Sequence, residues 1–185
     1  MQYEIIYADP PWKYGSKGPR SGKFAALDYS SMTIGDLCKM DIKSITAKDC
    51  ALHMWVTGSF IEDAMVVGNS WSFKFVRIDK VWNKKKVSGK PHAACGPWGM
   101  SDCEFILLFV KGSMCNKQKG KRNQYVGTDE NYTGKHSEKP LLFRNQIDER
   151  YQDGLNKLEM FARYPAKGWD VFGNEAPNSI EIPTK

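Results

Sequence analysis

Apolar residues in this chain gather in short runs separated by amphipathic or polar stretches. Tyr3 to Ala8 is rich in β-formers and stops at Asp9-Pro10-Pro11. Neither proline can donate to a sheet ladder, so the pattern predicts a buried strand ended by the prolines. Ala51 to Val56 (ALHMWV) predicts a second strand, Phe73 to Trp82 a third, and Cys103 to Val110 (CEFILLFV), the most apolar run, a fourth. Leu158 to Ala162 and Trp169 to Phe172 read as closing strands. Between them, Phe60, Ala64, Met65 and Val67 recur near helical spacing and predict a helix from Ser59 to about Asn69. Leu141 to Tyr151 reads as another helix, and Thr33 followed by Asp36 forms a capping-box-like start for a short helix through Leu37 and Met40. Strands alternating with helices predict an α/β fold: a mixed, mostly parallel sheet with helices on both faces. One domain is expected over residues 1–176, with 177–185 as a tail.

The polar stretches change the picture through their charge. Lys13 to Asp28 is rich in Gly, Ser and Lys and reads as a long loop, and two basic loops are expected at about 84–101 and 111–133. The first holds Lys84, Lys85 and Lys86; the second begins with a stretch carrying Lys111, Lys117, Lys119, Lys121 and Arg122 and no acid up to Arg122. Such runs are often plain solvated charge. The whole chain of 185 residues carries 27 Lys and Arg against 21 Asp and Glu, a net charge of +6. That surplus suits a polyanion, because lysines and arginines gain affinity by displacing counterions from phosphates. No apolar run approaches the roughly 18 residues that read as a membrane span. The opening Met1 to Ile6 lacks the basic-then-apolar layout of a secretory signal, so a cytoplasmic location is expected. The 5 cysteines form no Cys-x-x-Cys pair and are expected as thiols; the spacing of His92, Cys95 and Cys103 matches no common zinc site, and no metal is expected.

The candidate chemistry sits at Asp9-Pro10-Pro11-Trp12, directly after the first predicted strand, where ligands bind in open α/β sheets. An adenine amino nitrogen is a poor nucleophile because its lone pair is delocalised into the ring. The Asp9 carboxylate and the Pro10 carbonyl can accept both amino hydrogens and aim the nitrogen at a methyl donor. Pro11 restricts Pro10 to an extended conformation. A carboxylate also stabilises the positive charge that grows on nitrogen as a methyl arrives. Trp12 offers a flat face for the base, and stacking worth roughly 1–3 kcal/mol would offset much of the few kcal/mol of extrusion from a duplex. The plain alternative is a strand-ending turn with a packed tryptophan.

Around this motif the chain resembles the DPPW-type adenine methyltransferases, the family that includes the messenger-RNA adenosine methyltransferase catalytic subunit and its bacterial and phage relatives. The likeness runs through IIYADPPW, YSSMTIGDL, LHMWVTG, WSFKFVRIDKVWNK, CEFILLFVKG, HSEKP, LEMFAR and GWDVFGNE, in order and over nearly the whole domain. The resemblance implies a Rossmann-like fold that binds S-adenosylmethionine, with Asp9, Pro10, Pro11 and Trp12 as the catalytic motif and Asp9 also near the cofactor's amino group. It makes His136 to Pro140 an active-site loop in which Lys139 approaches the cofactor carboxylate and Ser137 supports it. Arg163 would lie beside the ribose, and Asn174 and Glu175 would bind its hydroxyls, for which a carboxylate is a natural acceptor. Tyr164-Pro165-Ala166-Lys167 lacks the His and Asn that follow the matching Arg in the messenger-RNA enzyme, so contacts from those positions do not carry over.

Each residue also has a bland reading: Lys139 as a surface lysine before a helix-initiating Pro140, His136 as a loop residue, Met54 and Trp55 as core. Beside a nucleic-acid site, Lys84, Lys85, Lys86, Lys117, Lys119, Lys121 and Arg122 become candidate phosphate contacts. DNA is favoured over RNA as partner because the chain is a single small domain, and a homodimer would enlarge its grip. RNA methylation, a catalytically silent partner subunit and a cytosine amino methyltransferase are the competing readings.

Overall fold

The structure, a computed structural model, describes residues 1–13, 31–96, 98–120, 125–131, 138–173 and 175–184. Its core is a seven-stranded sheet in the order β7-β3-β6-β2-β1-β8-β9. The strands are β1 (Tyr3–Ala8), β2 (Thr46–Val56), β3 (Lys74–Lys85), β6 (Cys103–Lys111), β7 (Gly127–Asn131), β8 (Lys157–Ala162) and β9 (Asp170–Gly173). Two short strands, β4 (Ala94–Gly96) and β5 (Gly99–Ser101), form a separate hairpin. β1 pairs in parallel with β2 and β8, β8 with β9, and β3 with β7, whereas β6 runs antiparallel to both β2 and β3. One reversed strand therefore sits within an otherwise parallel sheet.

Both faces of the sheet are covered, which is why its central strands read as near-continuous apolar runs. Along β1, Ile6 and Ala8 enter one core while Ile5 and Tyr7 enter the other; along β2, Leu52, Met54 and Val56 oppose Ala51 and Trp55 in the same way. The first face is closed by α1 (Ile34–Lys39) and α3 (Ile61–Ser70), through Leu37, Ala64 and Val67. The Trp71 indole donates to the Leu37 carbonyl at 2.8 Å and knits the two helices together. The second face is closed by α4 (Leu141–Arg150), whose Phe143 and Ile147 recur at one-turn spacing. The α1 start is capped as expected: the Thr33 hydroxyl accepts from the Asp36 N–H at 3.1 Å and donates to its carboxylate at 2.6 Å.

Several boundaries move. The third strand runs on through Lys84 and Lys85, so these lysines belong to the sheet rather than to a loop, and the loop beyond them folds into the β4–β5 hairpin. A short helix, α2 (Ile42–Ile45), precedes β2. Residues 177–184 are not a free tail: Ile180 and Ile182 pack against the first core, the Asp41 N–H donates to the Pro183 carbonyl at 2.7 Å, and Thr184 bridges to Met40. The expected loop from Lys13 to Asp28 lies, beyond Lys13, outside the described residues.

β1 is the strand at which the order reverses. Its partner β2 lies on one side, and the late strand β8 returns to the other. The crevice beyond the carboxyl end of such a strand is where α/β sheets bind ligands. Asp9 is the first residue there.

Candidate active site

The Asp9-Pro10-Pro11-Trp12 turn is held by backbone bonds on every side. The Asp9 N–H donates to the Met160 carbonyl of β8 at 3.3 Å, the Trp12 N–H to the Pro10 carbonyl at 2.8 Å, and the Met32 N–H to the Pro11 carbonyl at 2.8 Å. One lone pair of the Pro10 carbonyl is therefore spent within the turn, and no second hydrogen bond reaches that oxygen among the described residues. Trp12 departs from expectation. It is only 6% exposed, its ring stacks on Phe60 at 5.5 Å between centroids and 19° between planes, and its indole N–H donates to the Trp55 carbonyl at 3.1 Å. With one face against Phe60 and its polar edge satisfied, Trp12 anchors the turn to β2.

Asp9 stands at the head of a chain of opposite charges. Lys139, just before α4, donates from Nζ to Asp9 Oδ2 at 2.8 Å and lies 3.3 Å from Glu104 Oε2. Lys84, at the end of β3, pairs with the other oxygen of Glu104. The Lys139 ammonium also lies 5.5 Å from the centre of the Trp55 ring. Desolvation alone would lower the lysine pKa, but the two carboxylates outweigh it and hold the ammonium above its ordinary value. Desolvation raises the Asp9 carboxyl above the ordinary aspartate value, against the pull of Lys139. The Glu104 carboxyl is pushed up by burial, yet Lys139 and Lys84 bring it below its ordinary value. Lys139 takes Asp9 Oδ2; among the described residues no hydrogen bond reaches Oδ1, and the side chain is 31% exposed.

This chain of charges opens into a crevice of about 280 Å³ floored by Tyr7 and Trp55 and walled by Lys139, Arg144, Glu159 and Arg163. The Trp55 indole donates to the Tyr7 hydroxyl at 2.6 Å, and Arg144 pairs with Glu159 at 2.7 Å. Burial raises the Glu159 carboxyl above its ordinary value, and the Arg144 guanidinium works against that rise. Phe161, also lining the crevice, has φ of 63°, a left-handed backbone that an aromatic residue adopts only under constraint. It falls where the β8–β9 register shifts, between Met160 and Ala162. Arg163 follows, 3.4 Å from Glu175 Oε1. The chain after β9 folds tightly back, with the Glu175 and Ala176 N–H groups both donating to the Ala162 carbonyl at 3.2 Å. That turn demands glycine: a Cβ on Gly173 would meet the Ala176 oxygen at 1.8 Å.

The sequence-selected residues thus divide. Asp9, Lys139, Arg163 and Glu175 come together from four separated segments at the strand ends, while Ser137 and Asn174, with His136, lie outside the described residues. Among the candidate phosphate contacts, Lys84 is turned inward onto Glu104 and belongs to the site itself. Lys85 pairs with Asp129 at 3.7 Å, and Lys86 is exposed. Lys117 and Lys119 are bound to Glu4 at 2.8 Å and Asp153 at 2.6 Å. Glu4 is the second residue of β1, about 16 Å of strand away from Asp9 at ~3.3 Å per residue, so these two lysines sit at the wrong end of the sheet for the crevice. The cause is the reversed β6, which leaves the sheet opposite to its neighbours. Lys121 and Arg122 lie outside the described residues.

Glu104 escaped the sequence reading for the same reason. In a parallel strand a residue so near the start would lie far from the ligand crevice, but reversal of β6 brings it there, opposite Trp82 in register. A lone carboxylate inside CEFILLFV was the available signal. Tyr7 and Trp55 are core residues that also face the crevice, and Glu159 was hidden in another apolar strand.

A crevice of this size is at the lower edge of the ~300–1,000 Å³ range of small-molecule sites. It presents carboxylates and cations side by side, a donor set that fits a zwitterion bearing a sulfonium, as S-adenosylmethionine does. A seven-stranded sheet with one reversed strand, and an acid at its switch point beside such a crevice, define the Rossmann-like S-adenosylmethionine-dependent methyltransferases. Residues 3–175 match the MT-A70 family, and the chain belongs to it as an adenine methyltransferase of that type. It is similar to the Type II methyltransferase M.MunI of a Mycoplasma species, at 36% identity over 203 aligned positions that cover 100% of this chain and 82% of that protein.

Proposed function

We propose that this protein transfers a methyl group from S-adenosylmethionine to the exocyclic 6-amino group of adenine in DNA. The observation that carries this reading is the Asp9 carboxylate: it lies at the switch point beside the crevice, is charge-paired through one oxygen, and has no hydrogen bond to the other among the described residues. The cofactor supplies an electrophilic methyl. Asp9 Oδ1 and the remaining lone pair of the Pro10 carbonyl accept the two amino hydrogens, fix the nitrogen's orientation, and the carboxylate stabilises its developing positive charge. Trp12 and Phe60 keep that turn rigid. Lys139 pairs with Asp9 and favours its ionised form against burial, and Glu104 and Lys84 hold Lys139 in place. Arg163 and Glu175, with Ser137 and Asn174 by resemblance, hold the cofactor.

DNA is favoured by similarity to a protein named as a Type II methyltransferase over the full length of this chain. Lys85 and Lys86, at the carboxyl end of β3, are the phosphate contacts best placed for the crevice. No helix among the described residues is long and apolar enough to cross a membrane, and we place the activity in the cytoplasm. The test is methyl transfer onto matched DNA and RNA, followed by mass spectrometry of the hydrolysed nucleosides. N6-methyldeoxyadenosine is expected; modified cytosine, RNA-only labelling, or none would overturn the proposal.

A further inference from the structure

Between the last residues of β3 and the first of β6, the chain leaves the sheet and returns as the β4–β5 hairpin. Its base is closed by three backbone bonds of 2.8 Å: Lys86 N–H to the Lys90 carbonyl, His92 N–H to the Lys84 carbonyl, and Lys84 N–H to the Asp102 carbonyl. The ribbon beyond has no core of its own. Trp98, in the connection between its strands, is 100% exposed, and Met100 and Val87 are exposed at 66% and 91%. From Lys84 to Ser101 there are four lysines and no acid. The ribbon's base is also part of the site, since Lys84 reaches Glu104, and Asp102 stands two residues before Glu104.

A fully exposed tryptophan on an uncharged two-stranded ribbon, with Lys86 and Lys90 at its base, is costly to keep in water and calls for a partner. A second copy meeting it ribbon to ribbon would set Lys86 and Lys90 against the same lysines, with no acid on the ribbon to answer them. A nucleic-acid duplex offers what the ribbon lacks: phosphates for Lys86 and Lys90, and stacked bases for the indole. A groove about 12 Å wide admits such a ribbon, and four residues of strand carry Trp98 up to about 13 Å from Asp102. An adenine reaching Asp9 must leave the helix, and that leaves a gap in the stack.

Resting on the DNA reading above, we infer that the β4–β5 hairpin is a wedge: Trp98 enters the duplex beside the target adenine and holds the stack open while the base occupies the crevice. Apolar side chains inserted between base steps unstack and kink the duplex in minor-groove-binding proteins.

The test compares methyl transfer onto plasmid DNA in duplex form and after heat denaturation, for the wild type, Trp98→Ala and Trp98→Phe. Stacking of an aromatic on a base is strong enough that Trp98→Ala is expected to lose about tenfold or more on the duplex. On denatured DNA, which needs no extrusion, it should stay within about twofold of the wild type, and Trp98→Phe should recover most duplex activity. Equal losses on both substrates, or no loss on duplex, would overturn the wedge while leaving the DNA reading intact. So would a wild-type dimer in light scattering that becomes a monomer on Trp98→Ala, since the indole would then serve a second copy. A wild type that methylates neither form would refute the DNA reading, and the wedge with it.

Discussion

The second helical face of the sheet is fastened by two charge networks, one at each end of α4. Before the helix, Lys139 joins Asp9 and Glu104; at its last residue, Arg150 Nη1 donates to both oxygens of Asp79 at 2.8 Å each. The two are about 15 Å apart along a ten-residue helix. In the second network His53 Nδ1 lies 3.2 Å from Asp79 and its Nε2 lies 3.0 Å from the Tyr151 hydroxyl. Burial holds the His53 imidazole below its ordinary value, against the pull of Asp79; with its proton on Nδ1, on the Asp79 side, Nε2 would accept from the tyrosine. Here Asp79 is 5% exposed and His53 is sealed, whereas Asp9 opens onto the crevice. Both networks are buried, charged and made of residue types found in active sites. Only the one with an oxygen to spare and a cavity before it can meet a ligand. The sealed network fixes where α4 lies; the open one is the site of the chemistry we propose.

Arg150→Ala separates the two most sharply. It strands the Asp79 carboxylate in the core, and chemical denaturation should show a loss of about 3–5 kcal/mol. The molecules that remain folded should bind cofactor normally in calorimetry. A change in cofactor affinity as large as the change in stability would break the distinction.

Acid should act on the sealed network next. Because the folded His53 is depressed below ~6.5, the unfolded chain takes up protons first as pH falls. Stability should be flat above about pH 6.5 and decline from there downward. The Asp79 carboxyl, held below its ordinary value by His53 and Arg150 despite burial, adds a second decline below about pH 4. Thermal melts of His53→Gln should lack the first decline; an unchanged profile would remove His53 from this role.

The smallest effect expected is that of Trp12→Phe. The ring still fills its place on Phe60, but the bond to the Trp55 carbonyl is lost, for about 1 kcal/mol of stability. The KM for DNA should stay within about twofold; a large rise would restore the base-stacking role that its burial argues against.

Much of this was legible in the sequence because local chemistry declared it. Two prolines after an apolar run marked the end of β1, Thr33 with Asp36 marked α1, and Asp9 followed from its place at a strand tip. What stayed hidden depended on strand direction and long-range closure. Nothing in CEFILLFV says that it runs backwards, and that reversal alone brings Glu104 into the site and carries Lys117 and Lys119 away from it. Lys84 looked like a loop cation because its partner lies 20 residues later. Trp12 looked available because its stacking partner, Phe60, lies on the far side of β2 in sequence. The Asp79–Arg150 pair, 71 residues apart, left no local trace.

The most direct test is Asp9→Asn, which preserves size and an amide oxygen but removes the charge. At saturating cofactor, methyl transfer to DNA should slow by about 10²- to 10³-fold, with the melting temperature unchanged or raised. Turnover within threefold of the wild type, in a variant that folds normally, would show that the carboxylate at the tip of β1 does not serve the amine.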